Sequence, residues 1–199
     1  MKDVNNSYGI IIQARMNSSR LPGKVLKDII GKPMLQRQIE RLIVGSNIPV
    51  VVATSNQISD NPIYSLCSEI GIKCFRGSLN NVVLRFLECA KTMKFKYIIR
   101  VGGDDPLIDP DCCNELLRLH KKAGGDFLYA SHEDGWPYGC AAELISKNSL
   151  EKIIDNTSDK IYLEHTIPYL LDNPHFFKTI RVKGPLNLNG KDLRLSVDY

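Results

Sequence analysis

The chain has 199 residues, 43% of them hydrophobic, which suits one domain built on a single sizeable core. A net charge of +4 with no long block of Lys or Arg argues against a nucleic-acid partner and is compatible with small anionic substrates. No apolar run reaches membrane-spanning length and the first residues carry no apolar signal core, so no membrane partner and a cytoplasmic location are expected. The 6 cysteines form no C-x-x-C pair and mostly fall inside apolar periodic segments, which reads as reduced, largely buried thiols.

The first element is a strand around Ile10, Ile11 and Ile12, a run apolar enough to be buried on both faces. It breaks into a polar loop carrying Arg15, Arg20 and Lys24, with Pro22 and Gly23 just before the lysine. Cations on a loop that follows a buried strand suit a polyanion such as a nucleoside triphosphate; the plainer alternative is a solvated basic loop. A Walker loop is excluded, because Ser18 stands where it needs glycine and Val25 where it needs Ser or Thr. The dinucleotide fingerprint is excluded too, since Gln13 to Arg20 contains no glycine.

Pro33 is placed to open a helix whose apolar face is Leu35, Ile39, Leu42 and Ile43, ending near Gly45. Residues 49–54 are a β-branched second strand. Residues 60–70 read as a helix, capped by Asp60 or Asn61, opened by Pro62 and stopped by Gly71. Residues 73–75 form a short strand leading to Arg76-Gly77. Residues 80–93 are helical, with Val83, Leu84, Leu87 and Ala90 inward. Residues 97–101 are the next strand and run into Gly102-Gly103-Asp104-Asp105-Pro106. Asp109 caps a helix over 110–122. Strands are expected at 127–130, 141–145, 176–182 and 193–197, and helices at 149–155 and 159–171. The segment 131–138, SHEDGWPY, is expected as a loop over the site or at a subunit contact, with Trp136 and Tyr138 either stacking on a ring or meeting a partner subunit.

Strands alternating with helices of this length imply parallel crossovers and a three-layer α/β sheet. The basic loop, Arg76-Gly77 and Asp104-Asp105 all follow predicted strands, so all should lie at the carboxyl edge, where ligands of such sheets bind. Asp104 and Asp105 are a plausible Mg²⁺ ligand set; the competing reading is a plain turn.

QARMNSSRLPGK followed by GKPML resembles the opening of the cytidylyltransferases that activate acidic sugars, the CMP-Kdo and acylneuraminate cytidylyltransferase family. The spore-coat-polysaccharide type is nearest in these motifs, since it also reads Gln-Ala-Arg. VVATS, CFRGS, RVGGDDPLID, LEHTIPYL and LRLSVD extend the resemblance over almost the whole chain.

The resemblance implies a Rossmann-like nucleotide-diphospho-sugar transferase fold with a mostly parallel central sheet. It implies an Mg²⁺-dependent nucleotidyltransferase that moves CMP from CTP to an acidic sugar and releases pyrophosphate, for surface glycan biosynthesis. Arg15 and Lys24 would hold the triphosphate with help from Arg20, and Gln13, Ala14, Arg76 and Gly103 would complete the nucleotide site. Asp104 and Asp198 would bind the metal. Glu143, Glu164 and His165 match acceptor positions of closer relatives, and Arg100, leading into the metal loop, is a further candidate for phosphate or acceptor. A homodimer is expected from the family. Relatives continue through an acidic helix where this sequence stops at Tyr199. The alternatives are another anionic acceptor, such as a phosphonate or phosphorylated metabolite, a metal-dependent glycosyltransferase, and a nucleotide-binding module of weak catalytic power.

Overall fold

Ile10, Ile11 and Ile12 are fully buried on β1 (Tyr8–Gln13), an interior strand of a seven-stranded sheet. The structure is a computed structural model and describes residues 7–18, 20–185 and 193–197. The sheet also contains β4 (Val50–Ser55), β5 (Cys74–Gly77), β6 (Tyr97–Gly102), β7 (Phe127–Tyr129), β8 (Glu143–Ser146) and β9 (Thr179–Arg181). Their spatial order is β5-β4-β1-β6-β8-β7-β9. All pairings are parallel except those of β8, which runs antiparallel to both β6 and β7. The helices are α1 (Met34–Gly45), α2 (Asn61–Glu69), α3 (Val82–Met93), α4 (Pro110–Ala123), α5 (Lys147–Asn156), α6 (Lys160–Glu164) and α7 (Thr166–Asp172).

Period-two alternation sorts the strand residues between two cores. Ile10, Ile12, Val52, Ile99 and Val101 face a cluster with Leu35 and Ile39 of α1, Ile63 of α2 and Leu116 of α4. Ile11, Val51, Ala53 and Ile98 face the other way, against Val83 and Phe86 of α3, Leu150 of α5 and Leu170 of α7. Each fully buried isoleucine contributes about 1.5–3 kcal/mol relative to exposure. The result is the expected three-layer α/β architecture with a mostly parallel sheet.

Several local expectations are corrected. Pro33 is not helical; it pairs with Asp28 in a small hairpin of β2 (Asp28–Ile29) and β3 (Lys32–Pro33), and α1 opens at Met34. The turn of that hairpin puts both Ile30 and Gly31 at positive φ, 52° and 77°. Ile43 lies outside the apolar face at 48% exposed, and on α3 Val83, Leu87 and Ala90 face inward as expected, joined by Phe86 and Cys89, while Leu84 does not. The expected helix over 159–171 is broken at His165. Pro168 explains the break: in one continuous helix its ring would collide with the carbonyl of Glu164, whereas in the first turn of α7 its missing N–H is not needed. The strand expected at 176–182 shortens to β9, and in place of one at 193–197 there is a single bridge between Tyr138 and Arg194. All six cysteines are free thiols, five of them buried. No helix among the described residues is long and apolar enough to cross a membrane.

Candidate active site

The parallel register lines up the strand ends. Gln13 pairs with Gly102 on one side and Ala53 on the other, and Ser55 pairs with Gly77, so β1, β4, β5 and β6 finish at the same edge. The loops that leave them are joined by backbone bonds: Ala14 N donates to Ala53 O at 3.2 Å and Gly103 N to Gln13 O at 2.8 Å. Glycine is needed at 103, because a Cβ there would lie 2.6 Å from Gln13 O.

The basic loop folds back on itself. Met16 O accepts from Gly23 N at 2.8 Å, and Gly23 turns at φ 70° into the short helical turn Lys24–Leu26. Met16 N is held from below by Asp60 Oδ1 at 2.7 Å. The other Asp60 oxygen accepts from Ser55 N at 3.1 Å and from the Ser55 hydroxyl. Asp60 is thus a fully buried anchor between the loop and β4, and its side chain caps no helix. The capping expectation is corrected, because two backbone N–H groups and a hydroxyl engage the carboxylate in its place.

Lys24 is nearly buried, and its ammonium donates to Asp104 Oδ2 at 2.9 Å and to Val197 O at 2.8 Å. Asp104 belongs to the turn after β6. Gln38 of α1 holds that turn, its amide donating to Gly102 O at 2.6 Å and Asp105 O at 2.9 Å. A Cβ on Gly102 would come within 2.7 Å of Asp104 Oδ1 and 2.6 Å of Asp105 Oδ2. Both carboxylates therefore converge on the space that this glycine leaves open. Such oxygen donors suit a hard divalent cation. Asp198 lies outside the described residues.

Two clefts meet at this turn. The first, about 240 Å³, is lined by Gln13, Arg15, Arg20, Lys24, Gly103 and His165. The second, about 320 Å³, is lined by Asp105, Ser131, His132, Tyr138, Glu143 and Ser196. Arg100, Gly102 and Asp104 line both. Arg100 donates to Glu143 Oε2 at 3.0 Å. Burial works to lower the Arg100 pKa, but the Glu143, Asp105 and Asp104 carboxylates outweigh it and hold it above the usual value.

The candidate residues divide between these clefts. Arg15, Lys24 and Asp104 share the first. Glu164 pairs with Arg15 at 3.4 Å, so Glu164 and His165 belong with the basic loop, while Glu143 lines the second cleft and Arg100 lies between the two. Arg76 points elsewhere. Its guanidinium donates to Ser55 O at 3.1 Å and Gln57 O at 2.8 Å and lies over the Tyr64 ring at 5.8 Å. Ala14 is buried beneath the loop. Trp136 is a core residue, with its indole N–H on Val182 O at 3.0 Å, so it neither stacks on a ligand ring nor faces a partner. Tyr138 remains at the cleft rim, packed on Arg194 at 4.3 Å. Asp109 caps α4 through Asp111 N at 3.0 Å. Asp60 and Gln38 were missed as site residues. Gln38 carried a readable signal, a polar side chain on the Leu35, Ile39, Leu42 face.

A basic loop and paired carboxylates at the carboxyl edge of a parallel sheet define the class: a nucleotide-handling α/β transferase. Residues 9–193 match the cytidylyltransferase family model, and the chain belongs to the cytidylyltransferase family. It is 30% identical over 200 residues to the spore coat polysaccharide biosynthesis protein SpsF of Bacillus subtilis, covering 97% of this chain and 82% of that protein. It is 32% identical over 172 residues to the 3-deoxy-manno-octulosonate cytidylyltransferase of Neisseria meningitidis, covering 83% of this chain and 64% of that protein. Among solved structures, a cytidylyltransferase from Leptospira borgpetersenii superposes with a TM-score of 0.91 at 31% identity, over 97% of this chain and 82% of that one.

Proposed function

We propose that this cytidylyltransferase transfers CMP from CTP to an acidic sugar of the 2-keto-3-deoxy type, for surface glycan biosynthesis. One observation carries the reading: the cleft of Arg15, Arg20 and Lys24 and the cleft of Arg100 and Glu143 meet at Asp104. The first is cationic enough for a triphosphate. The second is a polar chamber of about 320 Å³, room for a sugar. The names of the Neisseria and Bacillus relatives support a sugar-acid acceptor and a polysaccharide product.

In this mechanism Arg15, Arg20 and Lys24 hold the triphosphate and neutralise charge as it shifts toward the departing pyrophosphate. An acceptor oxygen in the second cleft attacks the α-phosphorus, and the bond from that phosphorus to the β-phosphate bridging oxygen breaks. Arg100, fixed by Glu143, orients the acceptor from the side away from the leaving group. Asp104 and Asp105, with Asp198 as a further candidate, would hold Mg²⁺, which supplies charge neutralisation at the phosphates. Lys24 leaves Asp104 for a phosphate oxygen as the nucleotide enters. A homodimer is part of the proposal, on family resemblance.

The test is a pyrophosphate-release assay with each of the four nucleoside triphosphates, crossed with sugar acids, phosphonates and phosphorylated metabolites, with and without Mg²⁺. Turnover with CTP and a 2-keto-3-deoxy acid is expected. Turnover with a phosphonate or phosphorylated acceptor alone would replace the acceptor half of the reading.

A further inference from the structure

Arg85 lies in the first turns of α3 and is 0% exposed. Its stem packs against Gly77 at the carboxyl end of β5, where an added Cβ would sit 3.1 Å from Arg85 Cγ. One terminal nitrogen, Nη1, donates to Ser78 O at 2.6 Å and Leu79 O at 3.3 Å. Nε and Nη2 have no hydrogen-bond partner among the described residues.

A buried guanidinium with most of its donors idle is costly, and folded chains ordinarily pair such a charge. The carboxylate that acts on it, Asp60, is already engaged by Met16 N, Ser55 N and the Ser55 hydroxyl. Burial lowers the Arg85 pKa to about 10, with Arg15 pushing the same way and Asp60 opposing, so the group stays cationic at neutral pH. Arg85 therefore adds a fixed positive charge close enough to Arg15 to repel it. Among the described residues no carboxylate hydrogen-bonds to this charge, which lies at the same edge of the sheet where the basic loop waits for a polyanion.

We infer that Arg85 is a positioning residue for the nucleotide, a buried charge whose compensation is the triphosphate bound by Arg15 and Lys24. It acts through the field at the carboxyl edge rather than by contact, and a low-dielectric surround keeps that field strong. The competing role is a structural one, in which Arg85 only staples the turn at Ser78 and Leu79. The inference rests on the CTP reading of the first cleft.

Two substitutions separate the roles. Arg85→Gln keeps a donor for the two carbonyls and removes the charge; Arg85→Lys keeps the charge. Steady-state kinetics and CTP-induced shifts in melting temperature are read on folded protein. The expected result for Gln is a KM for CTP raised about tenfold with kcat within about twofold, and for Lys a KM within about threefold of wild type. CTP should raise the melting temperature of wild type and Lys more than that of Gln. If Gln does not fold, Arg85→Met takes its place; it loses the donors to Ser78 O and Leu79 O as well as the charge, so an unchanged KM and CTP-induced shift in it would overturn the inference all the more firmly. Equal KM and equal CTP-induced shifts in wild type and the neutral variant would overturn the inference alone, as would a Lys variant as weak as the neutral one. Failure of the wild type itself to bind CTP would overturn the reading of the cleft and the inference with it.

Discussion

Lys24 Nζ lies 2.9 Å from Asp104 Oδ2, joining the loop after the first strand to the turn after β6 across 80 positions of sequence. The pair marks where triphosphate, metal and acceptor would meet. Here each charge is neutralised by the other; on the proposed reading the lysine would turn to phosphate oxygens when nucleotide binds, and the carboxylate would be released for a cation. Lys24→Met should lower kcat by about 10²–10³, the usual effect of removing one preorganised electrostatic group. Asp104→Asn should abolish the response of the rate to added Mg²⁺ while leaving nucleotide binding measurable. Metal titrations of both variants by pyrophosphate release check this.

Gly102 offers a finer probe of the same spot. Its backbone does not require glycine, yet an added methyl would meet the ends of Asp104 and Asp105. Those carboxylates are on rotatable stems and can yield, so Gly102→Ala should fold with a melting temperature near wild type. The two oxygens would be forced apart, and activity should fall at least tenfold with a raised Mg²⁺ requirement. Unchanged metal dependence would show that the carboxylates do not act together.

The sheet, the helical layers and the shared edge of the motifs were legible because burial on two faces writes long apolar runs into β1, β4 and β6. The convergence of Lys24 with Asp104 followed from that edge. What failed to show has physical causes. The break at His165 was signalled by Pro168, but the apolar spacing on both sides continues through it. Trp136 sits in a polar stretch, SHEDGWPY, and only the fold brings Val182 O to its indole. Asp60 precedes Asn61-Pro62 and so has the sequence look of a cap, while its real partners lie on β4 and the basic loop. Arg76 has the position of a ligand residue, yet two carbonyls of its own neighbourhood hold it.

Asp60 and Gln38 hold the two halves of the site from beneath, and their loss should read differently. Asp60→Ala leaves Met16 N and Ser55 N without their acceptor, a cost of about 1–3 kcal/mol for each buried donor left unmade. A lower urea midpoint and a raised KM for CTP are expected together, because the released loop carries Arg15. Gln38→Leu removes the bonds to Gly102 O and Asp105 O and should lower kcat more than it raises KM for CTP, since it loosens the turn that carries Asp104 and not the basic loop. Denaturation curves alongside kinetics of both variants distinguish the two effects.

At the opposite end of β1 and β6, away from the clefts, lies a buried histidine. His120 of α4 is buried between Tyr8 and Tyr97, with ring centroids 5.5 and 4.1 Å away. Its Nε2 lies 3.2 Å from Gly125 O, and a carbonyl can only accept, so that nitrogen bears the proton. Nδ1 of the neutral ring is then the acceptor for the Tyr8 hydroxyl at 2.8 Å. Burial lowers the His120 pKa, against smaller opposing effects of Gly125 O and Asp126. A depressed histidine pKa means that the unfolded chain binds more protons than the folded one between the two values. Stability contributed by neutral His120 is therefore complete above the ordinary histidine pKa of about 6.5 and declines as pH falls below it, toward the folded value. Urea midpoints measured between pH 8 and pH 5 should fall on acidification in wild type. In His120→Gln the midpoint should start lower, because the aromatic packing is lost, and fall less steeply. Parallel slopes for the two proteins would place the acid sensitivity in another group.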